Sequence, residues 1–342
     1  TDAVDYYVTF DSIAVGAAQA QYLVDKASGT GNPLYLYAGA ASDNNAFLFF
    51  EGAWNVLQPK IADGTFMIKN SSEAVALQDK ATLTRDEMGQ IIGQITTNWD
   101  FNTAKSLAES NLTAAAAADK GDVFILAPND GTARAIADAF AADGDVSSYV
   151  VTGQDAEKAS VQYIIDGKQS MTVLKDVRTL VADAIAAAVT FLEGNTPPQT
   201  TTYNNGTIDV PAKPSEVISV DKANVKEAII DSGYWPASDF TGLDGSAAPA
   251  EEITGKVGIV LPTKDEPRWI QDETRFKDAF TAAGYDVEIL FSQGDSAKEK
   301  ANVESLITKG IQVLIICPQD GTAAAAAAEA ARAAGVKVIS YD

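Results

Sequence analysis

Carboxylates at Asp43, Asp155 and Asp342, side-chain amides at Asn45 and Asn129, cations at Lys175, Lys264 and Arg268, and the indoles of Trp99 and Trp269 fall in or beside short polar segments that adjoin apolar runs. Carboxylates and amides accept or bridge hydroxyl groups, ammonium and guanidinium groups donate to them, and an aromatic ring covers an apolar C–H face. The mixture suits a neutral ligand rich in hydroxyls. Each residue also has a plainer reading. An Asp or Asn at a strand end is more often a helix cap or turn residue than a ligand. Trp269 opens a helix and Trp99 follows an apolar stretch, so core packing is their default, as it is for Trp54 and Trp235. Lys264 and Arg268 would equally form a solvated charge cluster with Asp265 and Glu266, while Asn44 and Asp130 would shape their loops and orient neighbours.

The same inventory argues against catalysis. The chain has no histidine, which removes Ser-His-Asp and Cys-His nucleophile arrangements and imidazole zinc sites. Paired carboxylates such as Asp43 and Asp155 are the raw material of glycoside hydrolysis, but no spacing marks them as acid and base. A nucleotide-binding enzyme would want a Gly-rich strand-to-helix loop, which Gly153-Gln154-Asp155 does not supply. Cys317, the single cysteine, follows Val313-Leu314-Ile315-Ile316; it has no internal disulfide partner and reads as a small core residue. No catalytic residue, cofactor or metal is expected. With 25 Lys+Arg against 47 Asp+Glu and a formal charge of -22, nucleic acid and anionic membrane surfaces are unsuitable partners. Simple solubility explains that charge equally well. No signal-peptide h-region or bilayer-spanning run occurs, so a mature or recombinant soluble protein is expected.

These loops need a scaffold. A chain of 342 residues, 46% hydrophobic, is too long for one ordinary core and long enough for two lobes. From Gly255 onward, β-branched runs alternate with amphipathic stretches, as βαβ units with a parallel sheet require. The pattern predicts strands at 257–261, 286–291, 312–317 and 336–341, and helices at 269–283, stopped by Gly284, and at 297–309 and 322–334. Earlier in the chain it predicts strands at 6–11, 34–37, 123–126, 149–152 and 170–174, and helices at 15–26, 133–142, 159–166 and 179–192. The βα loops carrying Asn129-Asp130, Gln154-Asp155 and Lys175-Asp176 then lie at the carboxyl edge of a sheet, where open α/β folds bind ligands.

Val336 to Asp342 reads as a buried strand of an unfinished sheet, so a further segment is expected after it; Tyr6 to Asp11 is a strand without a preceding partner. The two ends read as two sides of a cut. Residues 241–254, small and polar with no period, read as a flexible linker.

The segments Pro262-Thr263-Lys264 with Arg268-Trp269, Ile339-Ser340-Tyr341-Asp342, Tyr7-Val8-Thr9-Phe10-Asp11, Ser42-Asp43-Asn44-Asn45-Ala46, Asn129-Asp130, Gly153-Gln154-Asp155-Ala156, Met171-Thr172-Val173-Leu174-Lys175 and Asn204-Asn205-Gly206 with Asp209-Val210-Pro211 carry a resemblance. Over nearly the whole chain apart from the linker, it resembles the xylose-binding and multiple-sugar-binding periplasmic receptors of bacterial ABC transporters. In that family the stretch like 255–342 comes first and the stretch like 1–240 second, so this sequence looks circularly permuted. The segment 241–254 resembles the tether that follows a lipoprotein anchor, reused to join the old termini. The resemblance implies an engineered permutant, such as a biosensor module. An arginine that the family places after the Tyr-Asp pair is not found after Asp342.

The resemblance implies an α/β fold with two Rossmann-like lobes and parallel sheets, the type I periplasmic-binding-protein fold in permuted order. It implies one lobe from 1–10, 156–199 and 255–342, another from 11–155 and 200–240, and crossings near Phe10-Asp11, Thr152-Gln154 and Thr200-Tyr203. It further implies that Lys264, Arg268, Trp269, Asp342, Asp43, Asn45, Trp99, Asn129, Asp155 and Lys175 bind a monosaccharide, the two indoles sandwiching its ring, in a cleft closed by hinge motion. The native partner would be a membrane permease. The receptor would be a monomer, periplasmic or extracellular, tethered as a lipoprotein in its parent. Xylose, glucose and galactose stay open as ligands. The alternatives are a biosensor or scaffold with altered or lost binding, and a repressor-type effector core, for which no basic helix-turn-helix is present.

Overall fold

A computed structural model describes residues 1–242, 255–282 and 285–342. In chain order the elements begin with β1 (Tyr6–Phe10), α1 (Ser12–Lys26), β2 (Asn32–Leu36), α2 (Asn44–Ala62), β3 (Phe66–Ile68), α3 (Ser72–Ala76), α4 (Arg85–Ile95) and α5 (Phe101–Ala114). They continue with β4 (Gly121–Leu126), α6 (Asp130–Ala142), β5 (Val146–Val151), α7 (Lys158–Asp166), β6 (Met171–Leu174), α8 (Val177–Leu192), β7 (Thr201–Asn204), β8 (Asp209–Ser215) and β9 (Ile218–Asp221). The last set is β10 (Gly255–Leu261), α9 (Pro267–Ala282), β11 (Tyr285–Phe291), α10 (Ser296–Thr308), β12 (Val313–Ile316), α11 (Gly321–Ala333) and β13 (Lys337–Tyr341). No helix among the described residues is long and apolar enough to cross a membrane.

The first unit comprises Thr1–Asp11, Asp176–Glu216 and the described part of Pro249–Asp342. Its sheet runs β11-β10-β12-β13-β1-β8-β7, parallel except for the β7–β8 pair. Entered at β10, the strands read 2-1-3-4-5, a common doubly wound order. The β-branched runs occupy the centre: Ile315 stands opposite both Ile259 and Ile339, and Ile339 opposite Tyr6. Val260, Leu314, Ile316 and Val338 pack on Val303, Leu306, Ala327 and Ala331 of α10 and α11. The two helices begin at Asp295 and Asp320, whose carboxylates accept the first free amides of each. The strand at 336–341 is therefore an interior strand whose neighbour is β1, with Val8 opposite Tyr341.

The second unit comprises Ser12–Lys175 and the described part of Val217–Ala248. Its parallel sheet is β3-β2-β4-β5, and β6 pairs antiparallel with β9 while bridging to Gln154 through Val173. Helices α1 and α2 cross with backbones in contact, because a methyl at Gly16 would lie 1.8 Å from the Phe49 carbonyl oxygen and one at Gly52 2.0 Å from that of Ile13. Glycine is required at both places on steric grounds. This crossing fixes α2, and with it Asn45 and Phe49.

The division differs from the one expected from the sequence. Residues 156–175 belong to the second unit, because β6 pairs with β9 and bridges to Gln154; residues 200–216 belong to the first, because β8 pairs with β1. The chain passes between units after Asp11, as expected, but then after Lys175 and Glu216 rather than near 152–154 and 200–203. Residues 243–254 of the expected linker and the helix stop at Gly284 lie outside the described residues.

Candidate functional site

At the carboxyl edge of the second unit's sheet stand Asp43 and Asn45 after β2, Asn129 after β4 and Asp155 after β5, joined by Lys175 after β6 and by Trp99 from the loop between α4 and α5. Asp43 is both a cap and a tether: its Oδ1 accepts the Asn45 amide at 2.9 Å and its Oδ2 accepts the Trp99 indole N–H at 3.1 Å. Asn98 and Trp99 have φ of 53° and 60°, so this loop carries two consecutive non-glycine residues in the left-handed region. Gly39 makes the room, since a methyl there would sit 2.0 Å from the Trp99 ring. Phe49 meets the indole edge to face at 6.2 Å and 81°. Tyr37, Gly39, Phe49, Trp99, Leu126 and Pro128 line a recess here.

Lys175, at the end of β6, lies 5.4 Å from the Phe49 ring centroid and pairs with Asp155 at 3.1 Å, both side chains being buried. Asp155 has φ 99° and Ala156 φ 49°, and each such residue costs about 1–3 kcal/mol that the surrounding fold must offset. Backbone strain of this kind concentrates where a side chain has to point against the local preference. Asn129 and Asn45 take structural positions as well. Asn129 caps α6 by accepting from the Thr132 hydroxyl at 2.6 Å and its amide at 3.3 Å, and Asn45 accepts from Ser12 Oγ at 3.2 Å. Cap and ligand are therefore not exclusive readings: Asp43 and Asn129 cap helices whose first turns face the loop edge.

The first unit builds a different edge. Arg268, buried in the first turn of α9, meets the Asp272 carboxylate through Nε at 3.2 Å and Nη2 at 3.0 Å, and reaches Asp342 through Nη1 at 3.1 Å. Asp272 also accepts from the Tyr341 hydroxyl at 3.1 Å. Burial pushes the Asp272 carboxyl up to about 6, against the pull of Arg268 and with the nearby Asp342 charge adding to the rise. Burial and the Asp272 charge also hold the Tyr341 phenol protonated, far above its ordinary range. Asp342 has φ 64° and donates its amide to the Val8 carbonyl at 3.1 Å. The guanidinium stands 4.8 Å from the Trp269 ring, and that indole is buried. Lys264 keeps apart from this group: it is half exposed, pairs with Glu273 at 3.0 Å and lies over Phe291. Lys264 and Arg268 thus enter separate arrangements: the first turn of α9 turns Arg268 inward beside Asp272, and Lys264, ahead of the helix, pairs with Glu273.

Sequence reasoning missed Asp272, Tyr341 and Phe49. The four-residue spacing from Arg268 to Asp272 is the signal that places them on one helix face. Nothing comparable announces Phe49, whose place depends on the crossing of α1 and α2.

Residues 1–196 and 257–342 match the family described as periplasmic binding protein domain. The chain is 34% identical over 248 residues to the multiple sugar-binding periplasmic receptor ChvE of Rhizobium radiobacter, covering 69% of this chain and 65% of that protein. It is 33% identical over 237 residues to the D-xylose-binding periplasmic protein of Escherichia coli, covering 69% and 64%. The chain therefore spans just under two thirds of these relatives' length. Among solved structures, it is 80% identical, with a TM-score of 0.70 over 71% of this chain and 72% of the other, to a carbohydrate transporter solute binding protein from Chloroflexus aurantiacus in complex with D-glucose. A solute binding protein of an ABC transporter from Clostridium phytofermentans, with bound β-D-glucose, is 31% identical with a TM-score of 0.60 over 70% and 71%. With the parallel sheets described above, the family match establishes that the chain belongs to the periplasmic binding protein domain family and has its type I α/β fold.

Proposed function

We propose that this protein binds a monosaccharide, with D-glucose the leading candidate, as the receptor of an ABC sugar transporter. The observation that carries the reading is the edge of the second unit, where the Trp99 indole is tied to the Asp43 carboxylate and the buried Asp155–Lys175 pair stands on a strained turn. Carboxylates and an ammonium address the hydroxyls of an aldose, and an indole covers its C–H face. The 80% identity to a protein holding D-glucose supports this sugar over xylose and galactose. We assign the same chemistry to Arg268, Trp269 and Asp342 at the edge of the first unit. The protein binds its sugar without transforming it, acts as a monomer, and in its native setting works in the periplasm or outside the cell, tethered as a lipoprotein and delivering to a membrane permease.

We further propose that its segments are circularly permuted relative to the family. The sheet of the first unit supports this: its doubly wound order begins at β10 and passes from β13 to β1, as though 255–342 preceded 1–11.

Calorimetry with glucose, xylose, galactose and arabinose tests the reading, with Trp99→Ala and Asp155→Ala as controls. Micromolar binding of glucose that either substitution abolishes is the expected result. A folded protein that releases no heat with any of the four sugars would sink it.

A further inference from the structure

Asp155 stands on a turn whose conformation must be imposed from outside, since Asp155 and Ala156 both adopt left-handed φ. The amides of the turn show what imposes it. Asp155 donates to the Val173 carbonyl at 2.9 Å and Ala156 to the Thr172 hydroxyl at 3.2 Å, both on β6. The next amide, of Glu157, donates to Asp130 Oδ2 at 2.9 Å. Asp130 Oδ1 accepts from Gln169 Nε2 at 2.8 Å, and the Asp130 amide donates to the Gln154 carbonyl at 3.0 Å. The carboxylate lies so close over the turn that a methyl on Gly153 would be 2.3 Å from Asp130 Oδ1 and 2.5 Å from Gln169 Nε2.

Asp130 is fully buried, and both its oxygens accept from N–H groups of the turn and its flank. A desolvated carboxylate among other carboxylates is an unfavourable element to retain. Burial first, then the charges of Glu157 and Asp155, raise its affinity for a proton, while Arg134, which would oppose them, is engaged with Glu157 at 2.7 Å and Ser160 at 2.6 Å. Its neighbour Asn129 caps α6, so the two adjacent residues divide the labour: one starts the helix, the other grips the turn.

We infer that Asp130, shut away from any ligand, is the positioning residue that holds the 153–157 turn in its strained form and so sets Asp155 for the sugar. The inference rests on the sugar-binding reading for its consequence, though not for its geometry. Asp130→Asn is the informative substitution, because the amide keeps the size and one acceptor but turns an N–H group toward a second N–H donor.

Two measurements decide it, using the full chain: NMR amide exchange at Asp155 and Glu157 without sugar, and D-glucose affinity in wild type, Asp130→Asn, Asp155→Asn and the double variant. Faster exchange at both amides and a loss of affinity on the order of tenfold to a hundredfold are expected, with little further loss when Asp155 is already changed. Unchanged exchange, or losses that add in full, would overturn the inference. If the wild type binds no glucose, the sugar reading fails and exchange alone judges the clamp. If Asp130→Asn does not fold, Gln169→Leu removes a single donor to the same carboxylate: a smaller change in the same direction supports the clamp, and none refutes it.

Discussion

At the edge of the first unit, Arg268, Asp272, Asp342 and Tyr341 satisfy one another through charge and hydrogen bonding within a helix turn and a strand end. At the edge of the second, Trp99 and Asp155 are held by backbone in the left-handed region, by the lack of a side chain at Gly39, whose place the Trp99 ring takes, and by amides given to β6. One edge is stabilised by cancelling charge, the other by constraining shape. Side-chain charge can be removed one group at a time with the backbone left in place, whereas constrained loops depend on neighbours that never touch a ligand.

On that contrast, the most severe lesion lies in the first unit. Asp272→Ala leaves Arg268 buried with one carboxylate fewer, and a loss of about 3–5 kcal/mol is expected in urea unfolding. A loss below about 1 kcal/mol would mean that Asp342 alone holds the guanidinium and that the charge network is loose.

Next in size is a pH effect in the same unit. Glu299 is buried with Oε2 accepting the Gln319 amide at 2.6 Å, and burial pushes its carboxyl up to about 7 despite that bond. The folded form therefore holds a proton that the unfolded chain has released between about pH 4.5 and 7, so stability falls as pH rises across that window. Glu299→Gln should flatten the fall, gaining roughly 2 kcal/mol over wild type at pH 8. Parallel stability curves for the two proteins from pH 5 to 8 would count against it.

The mildest expected change is in the second unit. Gly39→Ala places a methyl against the Trp99 ring, and a loss of about 1 kcal/mol should accompany weaker glucose binding, since the loop yields by moving the indole. Full affinity in this variant would show that the ring's seat is not what the site depends on.

Much of the scaffold was legible in the residues themselves. Strands and helices after Gly255 fall within a few residues of the positions that β-branched runs and amphipathic spacing predict, because each element there is buried in the ordinary way. Between β2 and β4 the reading was blank: α2 to α5 depend on a glycine crossing and on caps such as Asp100 and the Thr84–Glu87 box. The unit boundaries went astray because β6 and β8 join partners distant in sequence. The positions of Asp43, Asn129, Asp155 and Lys175 at loop edges followed from chemistry and strand ends. Positive φ at Trp99 and Ala156 did not, since neither residue type favours it and only tertiary contacts impose it.

The bond between the Trp99 indole and the Asp43 carboxylate also has an optical consequence. Trp54 and Trp235 give their indole protons to main-chain carbonyls, of Lys80 and Ala156, whereas Trp99 gives its own to an anion. A negative charge at the pyrrole end of an indole favours the electron flow toward the benzene ring on excitation and moves emission to longer wavelength, so the emission colour of Trp99 is set by whether Asp43 keeps facing it. Anything that draws that carboxylate away would be announced in the ultraviolet by the protein's own fluorescence, with no attached dye.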